Sequence, residues 1–156
     1  MIISKRITAD SCRLLVQSDN SVVMFWAGTE ENDSCQTKVE RQYNIINTVE
    51  VLGKNFIIGR KLQSVDIYNV DMCMAIIENV PIQPNAGFVF KDVCNEIFLI
   101  GKSTEGTKVY DDMGNILDIS DNTVSVDVIF SGTGPCIQKT AGKEATLYTL
   151  DGHLIG

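Results

Sequence analysis

The chain has 156 residues, 44% of them hydrophobic and 21% charged, with a mean hydropathy of +0.07; this is about one domain's length and too apolar for a disordered segment. A formal charge of -7, with 13 basic residues scattered among 20 acidic ones, argues against nucleic acid as a partner, because such binders neutralise phosphates with clustered Lys and Arg. No run approaches the roughly 18 to 20 apolar residues of a bilayer span, so no membrane partner is expected, and the opening MIISKRITADSC sets its basic pair behind a short apolar run, the wrong order for an export signal.

The five cysteines, Cys12, Cys35, Cys73, Cys94 and Cys136, are odd in number and widely spaced, with no CxxC and no Cys/His pair. Neither a disulfide framework nor a zinc site is indicated, and reduced thiols in a cytoplasmic protein are expected.

Taken in chain order, β-rich stretches at 1–8, 44–52, 87–94 and 123–130 each precede an apolar run: RLLV, FIIG, FLIG and CIQK, ending at Val16, Gly59, Gly101 and Lys139. Nine residues after each run end stands an aromatic residue: Phe25, Tyr68, Tyr110 and Tyr148, spaced 43, 42 and 38 residues apart and each preceded by an apolar residue. A Gly- or Asp-bearing corner follows, seen in Asn69-Val70-Asp71, Asp111-Asp112-Met113-Gly114 and Thr149-Leu150-Asp151-Gly152, and then a further strand at 72–77, 115–119 and 153–155. Helical periodicity is nearly absent; residues 30–43 have too few apolar positions for a helix face and read as an edge strand with a long loop.

The pattern predicts an all-β protein of four repeats, 1–43, 44–86, 87–122 and 123–156, each about four antiparallel strands, in a single domain. Copies of roughly 40 residues with four strands match the unit of a β-propeller blade, giving either a four-bladed ring or half of a larger one. A β-trefoil is the alternative fold, although it calls for three equivalent units. The corners VYDDMGNIL and LYTLDGHLI resemble those of bacterial propeller-like repeat proteins of the WG type, with an apolar-aromatic pair, then Asp, then a Gly turn. The resemblance implies a blade-like fold, and rings of such blades offer broad rigid surfaces for binding.

The densest oxygen-donor stretch holds the calcium candidates Asp111, Asp112, Asn115 and Asp118. It lacks the EF-hand spacing, and aspartate at a hairpin corner is expected for local reasons alone, so no metal or cofactor is assigned. The Ser131-Gly132-Thr133-Gly134-Pro135 loop lacks the lysine and the following helix of a phosphate cradle and reads as a connection. His153, the only histidine, sits at a turn where other copies carry Asn115 and Cys73, which is how a structural position behaves. With no nucleophile elbow, zinc motif or Cys/His pair, no enzyme is expected. The aromatic column reads as core between sheets.

The expected function is a non-enzymatic protein-interaction scaffold that binds a protein partner or self-associates into an oligomer through loops or blade edges. The interaction loops are placed where the copies differ: at Thr29, Glu30, Glu31, Asn32 and Asp33, and at Pro81, Ile82, Gln83 and Pro84 of the loop 78–85, whose two prolines and exposed-looking apolar residues make it the most individual insertion. A glycan- or calcium-binding module is the alternative.

Overall fold

The structure, a computed structural model, describes residues 7–9, 12–17, 22–27, 38–72, 74–83, 86–132 and 134–155, with side chains from residue 42 onward. Its described residues form antiparallel β-sheets and contain no helix, and therefore no helix long and apolar enough to cross a membrane. The chain divides into two compact units, Met1–Val80 and Pro81–Gly156.

In the first unit, β1 (Ile7–Ala9), β2 (Cys12–Gln17), β3 (Val22–Ala27) and β4 (Lys38–Gln42) form one sheet in sequence order. The edge strand expected within 30–43 is thus β4. A second sheet follows in the same way from β5 (Ile45–Val51), β6 (Lys54–Arg60), β7 (Ser64–Asn69) and β8 (Met74–Pro81). Strands that follow one another through tight turns pair with their nearest neighbours at the smallest loop cost, which is why each sheet is a meander.

The second unit repeats this order in β9 (Phe88–Val93), β10 (Glu96–Ser103), β11 (Gly106–Asp111) and β12 (Ile116–Ser120). Its other sheet has three strands, β13 (Ser125–Ser131), β14 (Gly134–Ala141) and β15 (Glu144–Tyr148). The strand expected at 153–155 is reduced to a bridge between Tyr148 and Leu154, held by Ile155 N–H donating to Leu147 O at 2.8 Å.

An antiparallel sheet with one wet face alternates buried and exposed residues. Here the alternation is lost: Val65 through Asn69 of β7 are all buried, as are Ile97, Phe98 and Leu99 of β10. Both faces of these two strands are therefore covered. In the second unit, Val93, Phe98 and Val109 of one sheet pack with Val128 of the other, extended by Ile100, Leu117, Val126 and Leu150. Two ion pairs tie the same sheets: Lys91 Nζ lies 2.7 Å from Asp127 Oδ1, and Lys139 Nζ lies 2.8 Å from Asp118 Oδ1.

The run after Ile77 departs from the sequence reading. Residues 78–81, expected in a loop, continue β8, with Asn79 at a φ of 52°. Pro81 is compatible with strand structure because it is the last residue, where a missing N–H is tolerated. The apolar residues expected to be exposed there are buried: Val80 closes one side of the strand, and Ile82 is 3% exposed and bridges Ser103.

Candidate functional site

Three hairpin corners share one device. In each, the residue after the column aromatic turns its side chain back on the corner and accepts a backbone N–H. Asn69 Oδ1 accepts from Met72 at 3.1 Å, Asp111 Oδ1 from Met113 at 3.0 Å and Asn115 at 2.9 Å, and Thr149 Oγ1 from His153 at 2.9 Å. The corners of the last two sheets also match in backbone bonding: Asp111 N–H donates to Asn115 O and Gly114 N–H to Asp111 O, just as Thr149 N–H donates to His153 O and Gly152 N–H to Thr149 O. Short polar side chains suit these positions because they reach their own backbone a few residues on.

These bonds account for the calcium candidates. Asp111 receives a third bond, from Asn115 Nδ2 to Oδ2 at 2.9 Å, so both oxygens are engaged within the turn. Asp118 accepts from Ser120 Oγ at 2.7 Å and faces Lys139, which sets it apart from the corner. Asp112 is half-buried beside Asp111 and has interactions of its own. Among the described residues no group of three or more His, Cys, Asp or Glu is placed to hold a metal ion. His153 is exposed, with Nε2 3.4 Å from Asp151 Oδ2. The Asp151 carboxyl is held below the usual range, first by the Thr149 hydroxyl bonded to it.

A different polar cluster lies inside the second sheet. Asp66 on β7 is 0% exposed. Its Oδ2 accepts the Tyr43 hydroxyl at 2.6 Å and its Oδ1 accepts the Asn79 N–H at 2.7 Å. The Tyr43 and Tyr68 hydroxyl oxygens are 2.5 Å apart; since the Tyr43 proton goes to the carboxylate, Tyr68 is the donor between them. Lys61 Nζ stands 4.0 Å from Asp66 Oδ2 and donates to Asn79 Oδ1 at 3.3 Å. Burial pushes the Tyr43 phenol far above its ordinary value, and the bonds to Asp66 and Tyr68 push it the same way. With its protons committed to neighbours, this cluster is built to lock the β4–β5 connection, β7 and β8 together, and its unusual backbone at Asn79 delivers an N–H to the carboxylate.

The sequence reading found Tyr68 in the aromatic column but missed Tyr43 and Asp66. The signal for Asp66 was present: it lies two residues before Tyr68 and so on the same face of β7. Of the column, Tyr68 and Tyr110 are buried and Tyr148 is half-buried. Of the expected interaction loops, Thr29, Glu30, Glu31, Asn32 and Asp33 lie outside the described residues, as does Pro84; Pro81 is half-buried, Ile82 buried and Gln83 exposed. Ser131 pairs with Gly134 across the β13–β14 connection, and Gly132 has a φ of 65°.

No protein-family model matches this chain, and no curated protein matches it.

Proposed function

We propose that this chain is a non-enzymatic protein-interaction scaffold whose sheets are propeller-like repeats, forming a four-bladed ring or half of a larger one. The observation that carries the reading is the union of covered central strands with exposed apolar corners: Met72 and Met113, on turns pinned by Asn69 and Asp111, are exposed although β7 and β11, which run into those turns, have buried residues on both faces. Rigid turns that hold apolar side chains in water serve recognition better than stability. The two meander sheets of the second unit, packed on one another, support the blade-like arrangement, and a trefoil would need three equivalent units where the described strands form four sheets. Cys94, exposed and free, together with buried, free Cys136, favours a reducing compartment such as the cytoplasm.

Sedimentation velocity and protein-array binding with the purified chain test the proposal. Self-association or a saturable protein partner, weakened by Met72→Ser with Met113→Ser, is the expected result. A chain that stays monomeric and retains no protein would sink it. Calcium at millimolar concentration is expected to leave the melting temperature unchanged; a saturable rise would favour the ligand-binding alternative instead.

A further inference from the structure

The second unit has two unlike ends. Within its four-stranded sheet, the turn at Cys94–Asn95 and the corner at 112–115 lie at one end of the meander. In its three-stranded sheet, the connection from β13 to β14 and the corner at 150–152 share an end in the same way. Leu150, in that last corner, packs on the cluster that contains Val93 and Phe98, which sit on either side of the Cys94–Asn95 turn. The two sheets therefore present their corners at the same end.

That end exposes large apolar side chains on both sheets: Met113 on one and Phe130, Leu154 and Ile155 on the other, with Phe130 at 63% and Leu154 at 65%. Its exposed charged side chains are carboxylates, with His153, 3.4 Å from Asp151, the one basic group among them. Asp92, Glu96 and Asp151 are exposed there and Asp112 is half-buried. The unit contains no arginine, and its lysines are accounted for elsewhere. Lys91 and Lys139 are paired with Asp127 and Asp118, while Lys102, Lys108 and Lys143 lie toward the opposite end, where Glu105 and Glu144 stand among them.

We propose that this acidic, apolar end docks a cationic amphipathic segment of a partner protein, whose apolar side chains cover Met113, Phe130 and Leu154 while its Lys or Arg residues meet the surrounding carboxylates. The inference rests on the scaffold reading and adds the partner's chemistry to it. Apolar area supplies the attraction and the acidic rim selects the charge of the partner. A bare cation would leave the apolar side chains uncovered, and an anionic membrane or a nucleic acid would be repelled by the carboxylates.

The test is fluorescence anisotropy with a labelled Leu/Lys amphipathic peptide and its Leu/Glu counterpart. The cationic peptide is expected to bind with an affinity that falls as salt rises, and the anionic one not to bind. Asp92→Lys with Glu96→Lys, and separately Leu154→Ser, are expected to weaken binding by about tenfold, whereas Glu105→Lys with Glu144→Lys, the same change in charge at the other end, shifts it by less than about twofold. Circular dichroism melting of each variant checks that the sheets persist, and Leu154→Ser is the conservative case because that residue is held by one bridge. Equal loss from the two charge pairs, or no binding of the cationic peptide, overturns the inference. If that failure comes with a retained protein partner or self-association, the scaffold reading stands without it; if no association of any kind is found, both fall.

Discussion

Tyr43 gives its proton to a carboxylate that water does not reach, and receives one from Tyr68. Removing the hydroxyl leaves Asp66 and Tyr68 each short of a partner, so Tyr43→Phe is expected to cost about 1–3 kcal/mol in urea unfolding. The pH dependence has a definite sign. Because the folded-state pKa of Tyr43 is raised, the unfolded chain loses the phenolic proton first; stability is complete below the ordinary tyrosine value of about 10 and falls as pH rises above it. Burial raises Tyr110 in the same direction. Melting temperature measured from neutral pH into the alkaline range should therefore drop above about pH 10, and less steeply in Tyr43→Phe. Two turns hold side chains that their backbone does not suit. Leu52 has a φ of 51° before Gly53 at 74°, and Cys94 has a φ of 55° before Asn95 at 62°; both are hairpin positions that favour Asn or Asp. Leu52→Asn is expected to add about 1 kcal/mol of stability, read from the urea midpoint, by relieving a left-handed conformation that a leucine adopts at a cost.

At the scale of the strand, two sheets repeat one steric arrangement. A Cβ added to Gly59 would stand 2.7 Å from the Tyr43 ring, and one added to Gly101 would strike the Phe88 ring. Each ring lies flat over a glycine of the second strand and reaches the column tyrosine of the third: Tyr43 meets Tyr68 edge-on with centroids 6.3 Å apart, and Phe88 meets Tyr110 at 5.9 Å. Gly101→Ala should expel Phe88 from its seat and cost about 1–3 kcal/mol, with a loss of near-ultraviolet circular dichroism from the displaced aromatic pair. Much of this element-level structure was legible in the sequence. Apolar runs ending in FIIG and FLIG, nine residues before a tyrosine, gave the second and third strands, and the Asp111 corner gave the turn. Tyr43 stayed hidden because it meets Asp66 across 23 residues of chain, a distance no local spacing encodes. The end of β8 stayed hidden for another reason: two prolines suggested a loop, whereas one of them sits where the strand no longer needs its N–H.

The second unit, taken whole, has one core shared by its two sheets. Val128 of one sheet packs with Val93, Phe98 and Val109 of the other, so neither sheet keeps its core if the other opens. Val128→Ala is expected to cost about 1–3 kcal/mol and to accelerate hydrogen exchange by a similar factor in β10 and in β14, strands on different sheets. Faster exchange confined to β14 would show that the sheets open separately.

Lys139 occupies the place that Gly59 and Gly101 hold in their own sheets, nine residues before the column tyrosine. Its ammonium lies 4.9 Å from the centre of the Tyr148 ring and meets Asp118 on the neighbouring sheet. A chain made of similar meanders runs the risk, while folding, of stacking one of them against the wrong neighbour, since apolar faces discriminate poorly. A half-buried lysine does discriminate: set against a sheet that offers no carboxylate at that height, it would be stranded away from water without its counter-charge. The pair with Asp118, beside that of Lys91 with Asp127 between the same two sheets, thus works as an address that favours the correct neighbour for the last meander.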